Sequence, residues 1–163
     1  MPTQPPLPTI VVMHGDETGE ELLAEALRVL QPAVIRQPLE FVDYDLSLKN
    51  RRETKNQVVW DAAATTCKTG LALKAATVTP ETAGDVGSPN AILREALQAS
   101  VILRTGRRIP QIRPIGGVHA PITIVRMAVD DAYGAKEWRE TTETGDEIAW
   151  RTSKISRSIC RTV

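Results

Sequence analysis

The order of apolar and polar positions predicts an alternation of strands and helices. Thr9 to His14 (TIVVMH) is a short, β-branched apolar run that stops at Gly15. Such a run predicts a strand covered on both faces, most naturally a parallel one. Over residues 18–30, Leu22, Leu23, Ala26, Leu27 and Leu30 recur at helical spacing, with Glu20 and Glu21 in the first turn and Pro32 just past the end. Acidic residues there suit the helix dipole, and proline marks a stop. Leu39 to Tyr44 alternates like a strand, residues 53–69 carry a second helical pattern closed by Gly70, and Leu71 to Val78 returns to strand. This order predicts an α/β fold with an open, largely parallel sheet and flanking helices.

Further on, Ser88-Pro89-Asn90 opens an amphipathic helix whose stripe is Ile92, Leu93, Ala96 and Leu97. Serine is a good N-cap, and proline at the first helical position has no N–H to lose. Residues 100–104 and 121–129 read as strands, separated by a crossing rich in proline, glycine and arginine. Beyond Trp138 the pattern becomes polar and alternating, with Gly145-Asp146 as a hairpin turn. Residues 153–163 read as the start of a helix. The domain plan expected is a disordered proline-rich tail (1–8), part of a large α/β domain (9–120) and the start of a smaller clasp domain (121–163), both truncated.

Composition narrows the function classes. The 163 residues carry 20 basic and 20 acidic side chains, a balance without the one-sign field that nucleic acid or an anionic membrane surface requires. The cysteines Cys67 and Cys160 are too few for a disulfide framework, and no apolar run approaches the ~20 residues that cross a bilayer. The N-terminal MPTQPPLP has neither the basic residues nor the apolar core of a targeting signal. A soluble cytoplasmic protein with no nucleic-acid or membrane partner is the expectation.

Candidate chemistry rests on cations beside short polar side chains. Lys74, Arg94, Arg104, Arg126 and Lys136 accompany Thr77, Thr79, Ser88 and Asn90 at the ends of elements. Arginine forks hold carboxylates in pairs, and hydroxyls add neutral donors, so the set suits a small polyanion. Asn90 and Arg94 stand one helical turn apart on one face, beside the free N–H groups of the helix start. Ordinary surface ion pairs are the competing reading. Tyr133, after Asp130-Asp131, is either a proton donor made acidic by neighbouring cations or a half-buried tyrosine with a bonded hydroxyl. His14 and His119 have no partner at zinc spacing, so no metal site is expected, and His14 reads as a loop hydrogen-bonder. GDETG (15–19) follows a strand but is neither a GxGxxG fingerprint nor a Walker loop. The pairs Asp43/Asp45 and Asp130/Asp131 read as turn caps or solvent-facing groups, and Trp60, Trp138 and Trp150 as packing residues.

Several strings together resemble one family. GDETG, TKNQ (54–57), KAATVTP (74–80), SPNAILRE (88–95) and RMAVDDAYGAKEWRE (126–140) occur in the order found in NADP-dependent isocitrate dehydrogenases, within the isocitrate/isopropylmalate dehydrogenase family. The resemblance runs from about residue 9 to residue 152. It implies that Lys74, Ala76, Thr77, Thr79 and Asn90 line the cofactor region. It implies substrate contacts from Thr79, Ser88, Asn90, Arg94, Arg104 and Arg126, and a catalytic acid in Tyr133. Lys55 stands where the family commonly has asparagine, and the loop before Arg104 is a residue longer than in eukaryotic relatives.

The implied reaction is oxidation of an isocitrate-like tricarboxylate by NADP, then decarboxylation to 2-oxoglutarate aided by Mg2+ or Mn2+ as a Lewis acid. The implied partner is a second copy or a complementary chain. Family members are more than twice as long, and their metal-binding aspartates and catalytic lysine lie in the later half. The first expectation is therefore an isocitrate dehydrogenase-like chain inactive by itself. The alternatives are a non-catalytic tricarboxylate-binding or regulatory module paired with a full-length enzyme, and a degraded reading frame whose uncovered apolar faces aggregate.

Overall fold

A computed structural model describes residues 6–82, 84–117, 120–129 and 131–163, without the side chains of residues 131–134. Residues 1–5 of the expected proline-rich tail lie outside the described residues. The chain divides into two compact units, residues 1–97 and 98–163.

In the first unit, β1 (Thr9–His14) is the central strand of a parallel sheet, flanked by β2 (Glu40–Asp45) and β3 (Ala72–Lys74) in the order β2-β1-β3. The helices are α1 (Thr18–Val29), α2 (Pro32–Ile35), α3 (Leu48–Glu53), α4 (Gln57–Thr69) and α5 (Pro89–Ala96). The apolar run of β1 follows from its position, because both of its faces are covered. Val11 and Met13 pack with Leu46, Val59, Ala62, Ala63 and Leu93, while Val12 packs with Leu23 and Ala75 on the opposite face. The period of two along the strand thus feeds two separate clusters. This is the expected parallel, helix-flanked α/β sheet.

Several boundaries differ from the pattern, each for a local reason. The helix expected over 53–69 starts only at Gln57, with the separate short α3 before it, because Lys55 and Asn56 have positive φ values of 50° and 66°. Asparagine tolerates that conformation better than most residues, and the Asn56 Nδ2 donates to the Val86 carbonyl at 2.7 Å, anchoring the break. Pro32 opens the short α2 instead of merely ending α1. β3 is shorter than the expected 71–78: the Ala75 N–H still bonds to the Met13 carbonyl at 2.9 Å, but the Ala76 carbonyl turns to the Asp16 N–H at 3.0 Å. Gly70 closes α4 at φ 77°, where its N–H reaches the Thr66 carbonyl at 2.8 Å.

The second unit consists of two antiparallel ribbons and a short helix. β4 (Val101–Gly106) pairs with β5 (Ile122–Met127), and β6 (Asp131–Thr141) pairs with β7 (Glu147–Lys154). The Ser100 carbonyl accepts from the Ala128 N–H at 2.8 Å, which extends the first ladder by a rung. The second ribbon turns through residues 142–146, with Gly145 at φ 86°. Trp138 and Trp150 face each other across it, rings stacked with centroids 5.9 Å apart. α6 (Arg157–Thr162) is capped by Ser156, whose Oγ accepts from the Ile159 N–H at 3.2 Å.

Candidate functional site

Parallel strands deliver their carboxyl ends to one edge of the sheet, where ligands bind in open α/β folds. At that edge, three segments of the first unit are tied together. The Leu46 N–H donates to the His14 carbonyl at 3.0 Å, and the Asp16 N–H to the Ala76 carbonyl at 3.0 Å. The Asp16 carboxylate accepts from the Leu48 N–H at 2.8 Å and from the Val78 N–H at 2.9 Å. Arg51, whose side chain has no exposed surface, donates from Nε to the Leu46 carbonyl at 2.9 Å. Its two terminal nitrogens reach the Gly87 carbonyl at 3.2 Å and the Val78 carbonyl at 2.5 Å. Asp16 lies 3.9 Å from the guanidinium as counter-charge. Burial holds Arg51 below its ordinary value, opposed by Asp16 and Asp85 and reinforced by Arg52.

The GDETG loop therefore docks on backbone instead of cradling a phosphate. A Cβ on Gly15 would lie 2.0 Å from the Ala76 carbonyl oxygen, and one on Gly19 would lie 2.6 Å from it. Both glycines are needed for that approach. His14, the last residue of β1, is held between two carboxylates: Nδ1 is 2.6 Å from Glu20 and Nε2 is 2.9 Å from Asp43. Glu20 also accepts from the Gly15 N–H at 3.0 Å. His14, expected to hydrogen-bond in a loop, instead ties the end of β1 to α1 and β2. Burial pulls its pKa down, but the two carboxylates outweigh it and leave the value raised.

Most predicted site residues of this unit lie on these same segments. Lys74 ends β3 half-buried, and its ammonium donates to the Ala75 carbonyl at 2.8 Å and to Thr77 Oγ1 at 3.0 Å. Burial, with Arg51 nearby adding repulsion, pushes its pKa down to about 8. Ala76 and Thr79 are exposed and Thr77 is half-buried. Ser88 precedes α5 in extended conformation, but its hydroxyl makes no capping bond, contrary to the N-cap role expected of it. Pro89 at the first helical position starts the helix without that bond, so the hydroxyl is not spent on the helix end. Asn90 and Arg94 follow one turn apart on α5, both half-buried.

The remaining predicted residues belong to the second unit. The register pairs Arg104 with Ile124 and Arg126 with Ile102, which puts both arginines on one face of the β4–β5 ribbon, on a diagonal. Lys136 lies opposite Thr152 in the other ribbon. The side chain of Tyr133 lies outside the described residues, as do His119, Asp130 and the side chain of Asp131. Sequence reasoning missed Arg51 and left Asp16 inside a loop judged only against phosphate-binding patterns. Asp16 just past a parallel strand was a usable signal. Arg51 gave none, because its partners are backbone carbonyls, two of them 27 and 36 residues away.

The sequence profile described as Isocitrate/isopropylmalate dehydrogenase matches residues 9–163. This chain belongs to that family. Relatives include Isocitrate dehydrogenase (NADP), mitochondrial, from Sus scrofa, 36% identical over 142 residues, covering 79% of this chain and 32% of the relative. Isocitrate dehydrogenase (NADP) from Rickettsia felis is 28% identical over 134 residues, covering 81% of this chain and 27% of the relative. Isocitrate dehydrogenase (NADP) cytoplasmic from Saccharomyces cerevisiae is 38% identical over 103 residues, covering 58% of this chain and 25% of the relative. The chain thus spans between a quarter and a third of the length of these relatives, of which one is named mitochondrial and one cytoplasmic.

The described residues fit the two implied groups differently. Among them no cluster of three or more His, Cys, Asp or Glu side chains is placed to hold a metal ion, so a divalent metal does not fit these residues by themselves. An anionic cofactor fits better: two of the three N–H donors of Lys74 go to Ala75 and Thr77, and the Ser88 hydroxyl is not engaged in capping. No helix among the described residues is long and apolar enough to cross a membrane.

Proposed function

We propose that this chain forms part of the substrate and cofactor cradle of an NADP-dependent isocitrate dehydrogenase, and that by itself it binds without turning over. The observation that carries the reading is the arrangement at the carboxyl edge of the parallel sheet. Lys74, Thr77 and Thr79 on one segment, and Ser88 and Asn90 on another, are joined through one buried bracket. On this reading Lys74, Ala76, Thr77, Thr79 and Asn90 hold NADP, whose nicotinamide supplies a hydride acceptor when bound. Ser88 and Asn90 orient the substrate by neutral hydrogen bonds, and Arg94 holds a carboxylate by a charge-assisted fork. A divalent metal would be held by groups other than the described residues.

Calorimetric titration of isocitrate and of NADP into the purified chain tests this. Saturable binding of both is expected. Arg94→Ala should weaken isocitrate by roughly 10- to 150-fold, the worth of a hydrogen bond to a charged group. Magnesium should change the isocitrate affinity by less than about threefold, well below the several kcal/mol that a bound metal contributes at a substrate oxygen. Reduction of NADP by the chain alone would overturn the second half of the proposal, and absence of binding would overturn the first. The non-catalytic binding module is distinguished by adding the complementary half of a relative: restored turnover supports the enzyme reading, and binding that stays silent supports the module.

A further inference from the structure

We infer that Arg51, braced by Asp16, is a positioning residue of the candidate site: it fixes the 75–79 segment against the Gly87–Ser88 entry to α5. The inference rests on the binding role proposed above, and deepens it by assigning what sets the site's geometry. Arg51 is fully buried, so it cannot itself meet a ligand. Its guanidinium instead holds three carbonyls from three segments, at Leu46, Val78 and Gly87. The Val78 carbonyl lies one residue from Thr77 and from Thr79, and the Gly87 carbonyl immediately precedes Ser88. One side chain therefore couples the two segments that carry Lys74, Thr77, Thr79, Ser88 and Asn90.

The chemistry requires arginine. A planar fork presents donors in several fixed directions, whereas the single ammonium tip of lysine cannot span three carbonyls. A buried guanidinium also needs a counter-charge and bonds for its donors. Asp16 supplies the charge at 3.9 Å, and its two oxygens take the N–H groups of Leu48 and Val78. The carboxylate thus repeats the link between the 46–48 and 75–79 segments that Arg51 makes through carbonyls. Gly15 and Gly19 press the same loop onto the Ala76 backbone, so the bracket has no slack on the β1 side. GDETG then serves the site indirectly, as the seat of Asp16.

The test compares Arg51→Lys, Asp16→Asn and a control, Val59→Ala, a core truncation that removes none of the bracket's hydrogen bonds. The readouts are hydrogen exchange by mass spectrometry and titration with isocitrate and NADP, at a temperature where every variant is folded. Arg51→Lys should speed exchange about tenfold or more in peptides covering 75–80 and 86–90, as expected for losing one to two bonds. Peptides within α4 should not change. Affinity for at least one ligand should fall about tenfold in parallel, because the groups that hold it lose their spacing. Asp16→Asn should loosen 75–80 and spare 86–90, since its oxygens reach Leu48 and Val78 and not Gly87. Val59→Ala should lower global stability and leave both affinities unchanged.

A merely structural Arg51 would behave like the control, with exchange rising evenly through α4 and β1 and affinities tracking stability; that outcome overturns the inference. Loosened segments with unchanged affinities overturn it as well. If Arg51→Lys does not fold, Arg51→Gln, which keeps a single amide donor, carries the test of both segments, with Asp16→Asn reporting on 75–80 only. If the wild-type chain binds neither ligand, the functional reading fails by itself, and local exchange at 75–80 and 86–90 then decides whether the bracket stands.

Discussion

The two units are built on different physics. In the first, both faces of β1 are covered, and every described buried apolar residue except Ala128 belongs to it. In the second, the ribbons keep their apolar side chains in view: Leu103, Ile122, Ile124 and Val125 on the first ribbon are all more than half exposed. A two-stranded ribbon is marginal by itself, so its stability rests on ladder bonds and cross-strand pairs. The first unit instead draws on burial, at roughly 25 cal/mol per Å2 of apolar surface. The contrast also separates two kinds of polar group. Buried Arg51 is engaged with backbone from three segments, whereas Arg104 and Arg126 stand on an exposed ribbon face.

Paired truncations test the contrast at its largest. Leu46 is fully buried among Val11, Met13 and Val59, while Leu103 is 67% exposed. Leu46→Ala should cost about 2–5 kcal/mol, the range for a leucine removed from a core that relaxes only partly. Leu103→Ala should stay within about 0.5 kcal/mol. Denaturant unfolding followed by far-ultraviolet circular dichroism gives both numbers. Equal losses at the two positions would mean that the second unit shares a core with something that covers Leu103, and the contrast would fail.

A smaller effect probes the second unit alone. Trp138 and Trp150 sit directly opposite in register, rings nearly parallel at 13° and each close to half exposed. Stacked aromatic pairs contribute about 0.5–1.5 kcal/mol beyond the area they bury. Trp138→Ala should remove the coupled-tryptophan signal in circular dichroism. It should shift only the transition reported by the ribbon, leaving the helix signal of the first unit in place. A matched shift in both would show that the two unfold as one.

What could be read from the sequence follows the same division. β1 was legible because a strand buried on both faces leaves an unbroken apolar run, and α5 because Pro89 and its stripe mark both start and face. The separate α3 and the late start of α4 were not, because the turn between them depends on Asn56 reaching Val86, thirty residues on. The strands at 101–106 and 122–127 were legible as strands, but their mutual antiparallel pairing was not, since short apolar runs carry no record of partner or direction. The candidate binding residues stood out because charged and hydroxyl side chains cluster in recognisable strings. The bracket that holds them did not, because Arg51 bonds to carbonyls, and carbonyls are the same at every position. Ser88 marks the limit of local rules: the residue suits a cap, yet its side chain does not make one.

The finest test uses pH, and both of its reporters lie in the first unit. The His14 pKa is raised above 6.5 because the penalty of burial is outweighed by hydrogen bonds that the ring donates to the Glu20 and Asp43 carboxylates. The folded state therefore holds that proton more tightly than the unfolded chain does. Its contribution is complete below pH ~6.5, the unfolded value, and is lost as pH rises through the higher folded value. Lys74 runs the other way. Burial and the nearby Arg51 push it down to about 8, so between there and its ordinary 10.5 the unfolded chain binds more protons, and stability climbs with pH. Thermal midpoints across this range should dip just above neutrality and recover toward pH 10. His14→Gln should flatten the descent and Lys74→Met the recovery. The amplitude at His14 should be about 0–1 kcal/mol, as for other partly exposed ion pairs. A recovery that persists in Lys74→Met would mean that another group carries it, and that the ammonium beside Thr77 is not the strained charge its surroundings imply.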